Sequence, residues 1–353
     1  MAERPVSFPN GTRLTVGVDD FHTAGEPFRI VTSGGPELRG ATVLDKRSDA
    51  LARFDDLRAF VVNEPRGHAD MYGCFVTQPD DNDGDLGVVF FHKDGFSTAC
   101  GHGTIALAAW ALRTGRVAVT EPVTELVIDV PSGRLRVEAD VSEGRVGQIR
   151  FTNVPSWVSA LDVPVTIPLD GTQVELTLDV AYGGALYASV PAAAIGASVG
   201  PADLARLIDV ARCVKAALAD HISVSHPGDD RLSGLYGVIF HEDIAAPPQC
   251  ALAQRNVTVF ADGEVDRSPC GSGTSARLAV LHARNQLATG ETLHHAGIAG
   301  GVFTAKVTEI LVGAGPNGND AFITQVGGHA YPTGSATFVL DPADPIGLGF
   351  QLR

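Results

Sequence analysis

The chain has 353 residues, 44% hydrophobic and 19% charged, with a formal net charge of −15 at pH 7. That is the composition of an ordinary globular protein, long enough for two domains that each bury a core. The acidity argues against nucleic acid or an anionic membrane as partner, and no apolar run approaches the ~18 residues that span a bilayer.

In chain order, Met1-Ala2-Glu3-Arg4-Pro5 carries no apolar export signal. Short β-rich runs follow at Leu14–Val18, Gly87–Phe91, Leu126–Val130, Leu135–Ala139, Val174–Leu178 and Val257–Phe260, and Pro131-Ser132-Gly133 turns between two of them. Helical spacing occurs at Ile105, Ala108, Ala109 and Leu112, stopped by Thr114-Gly115. It returns at Ala276, Ala279, Val280 and Ala283, ending near Asn285, and a further helix is predicted from Pro201 to Asp220. The two Ala-rich helices suit the inside of a curled sheet, where larger side chains would not fit. A crossing between halves is expected between Val154 and Leu169, around Pro155, Pro164 and Pro168.

The five cysteines, Cys74, Cys100, Cys213, Cys250 and Cys270, are odd in number and widely spaced, and none forms a CxxC pair. Neither a disulfide framework nor a structural zinc site fits this pattern; reduced thiols in a cytoplasmic protein do. Two of them belong to a repeat: Cys100-Gly101-His102-Gly103-Thr104-Ile105-Ala106 and Cys270-Gly271-Ser272-Gly273-Thr274-Ser275-Ala276. Each opens a predicted helix, and they lie about half the chain apart.

Removing a proton from an amino-acid α-carbon needs somewhere to put the carbanion's charge, which pyridoxal enzymes find in their cofactor. Without a cofactor, backbone N–H groups at a helix N-terminus stabilise the carboxylate as it gains enediolate character. Glycines after the cysteine allow close backbone approach, and basic side chains are few. The same position lowers a cysteine's pKa, so a thiolate is expected near neutral pH. Two such motifs across a cleft supply a base and an acid on opposite faces of Cα. Cys100 with His102 as metal ligands would need convergent partners that the sequence does not offer, and a plain anion-binding protein would need no cysteine. No metal and no cofactor are expected.

The chain resembles the proline racemase family, which includes proline racemases, 4-hydroxyproline 2-epimerases and trans-3-hydroxy-L-proline dehydratases. The resemblance runs nearly end to end, through Asp20–Pro27, Asn63–Gly73, Ala99–Thr104, Tyr182–Ala188, Val265–Thr274 and the tail from Phe338 to Phe350. It implies an α+β fold of two pseudo-symmetric lobes of curled sheet, each around a central helix, shared with diaminopimelate epimerase, with the active site in the cleft between them. The first lobe is read as 1–165 plus 340–353, carrying Cys100, and the second as 166–339, carrying Cys270. By the same resemblance Cys100 and Cys270 are the acid/base pair and Gly101-His102 and Gly271-Ser272 hold the carboxylate. Asp266 and His102 face the ring nitrogen of a small imino acid, and a homodimer is compatible with the family.

Dehydratases of this family typically carry Thr at the second cysteine position, so cysteine at both favours a racemase or epimerase acting on proline or 4-hydroxyproline. Other blocks lean toward dehydratases: His68-Ala69-Asp70-Met71 where many epimerases have a Ser-Asp pair, and Tyr182–Ala185 and Leu235–Phe240. The alternative is therefore dehydration of trans-3-hydroxy-L-proline with Cys100 as base, and a non-catalytic imino-acid binding protein comes after that. His68 and Asp70 are read as ordering a loop, Cys74, Cys213 and Cys250 as bystander thiols, and Phe96, Tyr187 and Phe260 as aromatics near the motifs.

Overall fold

The computed structural model describes residues 14–352; Met1–Pro5, read above for an export signal, lies outside them. The chain opens with the antiparallel pair β1 (Leu14–Thr23) and β2 (Glu26–Ser33). Helices α1 (Val43–Arg53) and α2 (Asp55–Val62) carry it across to β3 (Gly73–Thr77), which pairs parallel to β2, a connection that demands such a crossover. β4 (Leu86–His92) and the short β5 (Gly95–Phe96) lead into α3 (Gly101–Arg113). Then β6 (Val123–Val130), parallel to β4, β7 (Gly133–Ser142) and β8 (Arg145–Thr152) complete the first run.

The second half opens with β9 (Ser156–Leu169), β10 (Thr172–Tyr182) and β11 (Leu186–Pro191). Helix α4 (Leu204–Ala217), preceded by a 3-10 turn at Pro201–Asp203, crosses to β12 (Leu235–Asp243), parallel to β11. β13 (Leu252–Phe260), β14 (Glu264–Asp266) and α5 (Gly271–Ala283) are followed by β15 (Leu293–Gly297), parallel to β13. The sequence β4–β5–α3–β6 is thus repeated as β13–β14–α5–β15, which puts the two cysteine motifs at equivalent places in two lobes. β16 (Val302–Leu311), β17 (Ala321–Gly328) and β18 (Ala330–Leu340) end the chain's regular structure.

In the second lobe the pairings run β9-β10-β11-β12-β13-β15-β16-β17 and return to β9, closing a barrel around α5. The first lobe curls in the same way around α3, from β18 through β1 to β8, and joins the second where β8 pairs with β17. Both helices are buried over nearly their whole length, α3 from Gly101 to Leu112 and α5 from Gly271 to Leu281. Small side chains make this affordable: Ala106, Ala108, Ala109 and Ala111 in α3, Ala276 and Ala279 in α5. Gly115 and Asn285, both in left-handed backbone, stop the helices where the sequence predicts.

Strand pairing shifts both lobe boundaries read from the sequence. Ser156–Leu169 is not a linker but β9, paired along its length with β10, so the second lobe starts at Ser156 and not at 166. Pro164 and Pro168 sit in that strand beyond Trp157, where its other side has no partner strand among the described residues, and prolines are tolerated on such an edge. The return to the first lobe begins at Ala330 and not at 340, because all of β18 pairs with β1. Among the described residues no helix is long and apolar enough to cross a membrane.

Candidate active site

Each cysteine of the repeat stands at the N-terminus of its buried helix. Cys100 is the N-cap of α3 in extended backbone, and its Sγ accepts the Gly103 N–H at 3.3 Å. Cys270 precedes α5 at φ 61°, a left-handed conformation that a residue with a Cβ seldom adopts; its amide donates to Ser268 Oγ at 3.0 Å. The two helix starts abut back to back. A Cβ on Gly101 would lie 2.5 Å from Gly271 Cα, and one on Gly271 would lie 2.6 Å from Gly101 Cα, so only glycine fits either position.

Cys100, Gly101, His102, Asp266, Cys270 and Ser272 line one narrow cavity of about 10 Å3 at the thiols. Gly271, also named from the sequence, supports Gly101 rather than lining the space. The cavity is little larger than one water molecule. His102 bridges the chemistry: its ring nitrogens lie 3.5 and 3.6 Å from Cys100 Sγ, and Nδ1 is 3.7 Å from Asp266 Oδ2. Asp266 is 3% exposed and its Oδ1 accepts the Ser268 N–H at 2.8 Å.

Three phenols complete the wall. Tyr187, already noted as a nearby aromatic, has its hydroxyl 2.7 Å from Ser272 Oγ and 3.7 Å from Cys270 Sγ. Tyr72 and Tyr236, which the sequence reading did not single out, face each other with hydroxyls 2.9 Å apart, and Tyr72 also hydrogen-bonds Ser97. Burial pushes all three phenols well above their ordinary pKa, so they are protonated donors at any working pH. Phe260 stacks on Tyr236 at 5.5 Å and also lines the cavity, whereas Phe96 packs in a separate apolar cluster of the first lobe.

The thiols do not fit the expectation of a thiolate near neutral pH. Burial is the largest influence on each: it raises Cys100 well above its ordinary value and pushes Cys270 up to about 12, with the charge of Asp266 adding to both. The Gly103 and Gly273 N–H groups pull the other way but do not win. A helix N-terminus favours an anion, yet burial beside a carboxylate costs the anion more. Glu26, fully buried, is the other acid the sequence reading missed; it accepts the Arg267 N–H at 2.7 Å, and burial and Asp266 raise its pKa well above normal.

Asp70 and His68 behave as loop residues. Asp70 accepts the Val265 N–H at 3.0 Å and pairs with Arg267 at 2.8 Å, tying the first lobe to the strand that carries Asp266. His68 Nδ1 accepts the Asp70 N–H at 3.2 Å. No group of three or more His, Cys, Asp or Glu among the described residues is arranged to hold a metal ion.

Residues 18–351 match the sequence model of the proline racemase family. The chain belongs to that family. Relatives of this proline racemase family member include a protein named trans-3-hydroxy-L-proline dehydratase from Colwellia psychrerythraea, 42% identical over 96% of this chain and 93% of its own. One named 3-hydroxyproline 2-epimerase, from Burkholderia multivorans, is 42% identical over 95% of this chain and 97% of its own. Among solved structures, a hydroxyproline epimerase from Agrobacterium vitis with bound trans-4-hydroxy-L-proline superimposes with a TM-score of 0.87 at 29% identity, covering 96% of this chain and 95% of that one. The two-lobed α+β architecture is therefore that of the family, and the chain is an enzyme of a group whose members are isomerases and lyases.

Proposed function

We propose that this enzyme is a cofactor-independent lyase that dehydrates trans-3-hydroxy-L-proline, with Cys100 as the base that takes the α-proton. The observation that carries the reading is one narrow cavity holding a thiol at a helix N-terminus beside a bank of protonated phenols. An α-proton needs the first, and a departing β-hydroxyl needs the second. The names of the dehydratase relatives at 40–42% identity support the same substrate, so the alternative read from the sequence ranks above proline or 4-hydroxyproline epimerisation.

The substrate carboxylate docks on the N-termini of α3 and α5, where N–H groups stabilise it as it becomes an enediolate. Asp266 and His102 take the ring ammonium. That pairing offsets the negative field of Asp266, which helps to hold the thiols neutral, and the Gly103 N–H then stabilises the Cys100 thiolate. The thiolate removes the proton from Cα. The C3–O bond breaks as the electron pair forms the C2–C3 double bond, and a phenol of the Tyr72–Tyr236 pair protonates the leaving hydroxide to water. The enamine then tautomerises to the cyclic imine, and the Cys100 proton returns to the tyrosinate.

A second reading, 2-epimerisation of a hydroxyproline, is favoured by Cys270. A thiol on the opposing helix can return a proton to the other face of Cα, and the Burkholderia relative carries such a name. Proton NMR in D2O with trans-3-hydroxy-L-proline, trans-4-hydroxy-L-proline and L-proline tests both. Consumption of the 3-hydroxy compound with imine signals supports dehydration. Deuterium at Cα with a new diastereomer makes the enzyme an epimerase, and no exchange on any of the three overturns the thiol-base assignment.

A further inference from the structure

A second cavity, of about 250 Å3, lies against the catalytic one and shares Tyr236 with it as a partition. Drug-sized ligands need pockets of roughly 300 Å3 or more, so this space suits something smaller. Its walls carry an unusual charge for a chain of net −15. Arg47, from α1 of the first lobe, spends its Nε–H on the Phe96 carbonyl at 2.8 Å. Lys215, from α4 of the second lobe, donates to the carbonyls of Ala261 and Tyr236. Neither forms an ion pair with a carboxylate among the described residues; both are half-buried, which lowers the pKa of each, and the charges of Asp94, Glu264 and Asp262 oppose that lowering at Lys215. Asp94 lines the same space. At the rim, Arg231 bridges the lobes by pairing with Asp45 at 2.9 Å.

We propose that this cavity is an antechamber that captures a small zwitterionic imino acid on its way to the thiols, with Arg47 and Lys215 receiving the carboxylate and Asp94 facing the ammonium. The reading rests on the imino-acid substrate class proposed above. Two half-buried cations that no carboxylate pairs directly leave positive charge on the cavity wall for an incoming carboxylate. The thiol cavity holds about 10 Å3 and needs a way in. The 250 Å3 space reaches Tyr236, which also lines the thiol cavity, and Arg47 and Lys215 on its wall draw a carboxylate toward that residue.

Pyrrole-2-carboxylate, planar at the carbon that bears its carboxylate, is the probe, with binding followed by stopped-flow tyrosine fluorescence because Tyr72, Tyr187 and Tyr236 wall the site. The cations touch the ligand in transit and not in its final position. In Arg47→Met and Lys215→Met, kon and koff should therefore fall together about tenfold at low salt, Kd should move less than twofold, and the salt dependence of kon should flatten. Arg47→Lys and Lys215→Arg should restore most of the rate. Unchanged kon in both Met variants overturns the antechamber. So does a rise in Kd through koff alone, which would make these residues final-site contacts, or a loss of kon that conservative variants do not restore. If the wild-type protein binds no pyrrole-2-carboxylate, the imino-acid reading itself fails and takes the antechamber with it.

Discussion

Alanine at Gly101 places a methyl group 2.5 Å from Gly271 Cα, 2.8 Å from the Gly271 carbonyl carbon and 2.9 Å from Phe151 Cζ. Non-bonded carbons settle at about 3.5–4.0 Å, so the starts of α3 and α5 must part by ~1 Å. Two of the obstacles are backbone atoms of a buried helix, which cannot swing aside as a side chain tip would. Overpacking of this kind costs ~1–3 kcal/mol of stability. The effect on rate is the more telling one, because Cys100 rides on one helix start and Cys270 on the other. A ~1 Å misplacement of reacting groups costs about 10²-fold in rate, or about 2.7 kcal/mol of barrier. The assay pairs urea denaturation with turnover of trans-3-hydroxy-L-proline, using Gly334→Ala as control because a Cβ there meets nothing within 4 Å. Gly101→Ala should fold, melt earlier and lose about 10²-fold in kcat, while the control matches wild type. Wild-type kcat in Gly101→Ala would refute the claim that the glycine contact sets the thiol geometry.

Other outcomes follow from the same geometry. Cys100→Ser should remove α-proton exchange by ~10²-fold or more with the fold intact by circular dichroism; exchange at the wild-type rate would remove it as the base. Cys270→Thr should keep dehydration and lose any epimerisation, and loss of dehydration as well would give Cys270 an obligatory part. Because burial and Asp266 push both thiols up, the reactive thiolate of the free enzyme grows as pH rises. Thus kcat/KM should climb from about pH 7 to 9, approaching tenfold per unit, and a flat or falling profile would mean another group is the base. Tyr236→Phe removes a hydroxyl 2.9 Å from Tyr72; dehydration should slow ~10²-fold or more while pyrrole-2-carboxylate still binds, and unchanged dehydration would take the pair out of the leaving step. Asp70→Ala should destabilise by ~1.5–3 kcal/mol, the value of hydrogen bonds to a charged group, read from the urea midpoint.

The repeat of C-G-x-G-T-x-A, by itself, determined the two helix starts and their equivalence, because these are local: a cysteine, permissive glycines and an alanine-rich run act within a few residues; the back-to-back contact of Gly101 with Gly271 came only from the tertiary structure. The motif block around Asp266 placed a carboxylate beside the thiol for the same reason. Helix α1 was legible too but went unread: Thr42 and Asp45 form a capping box that the sequence displays. Proline misled the reading of Pro164 and Pro168, since a proline-bearing linker and a proline-bearing edge strand look alike until the neighbouring strand is known. Tyr72, Tyr187 and Tyr236 sit more than a hundred residues apart at their extremes and meet only because β11, β12 and the loop before β3 converge on one cavity. Nor does any local pattern report the ionisation of a thiol. The helix N-terminus visible in the sequence favours the anion, while burial between the two lobes and the charge of Asp266 oppose it, and burial decides the balance.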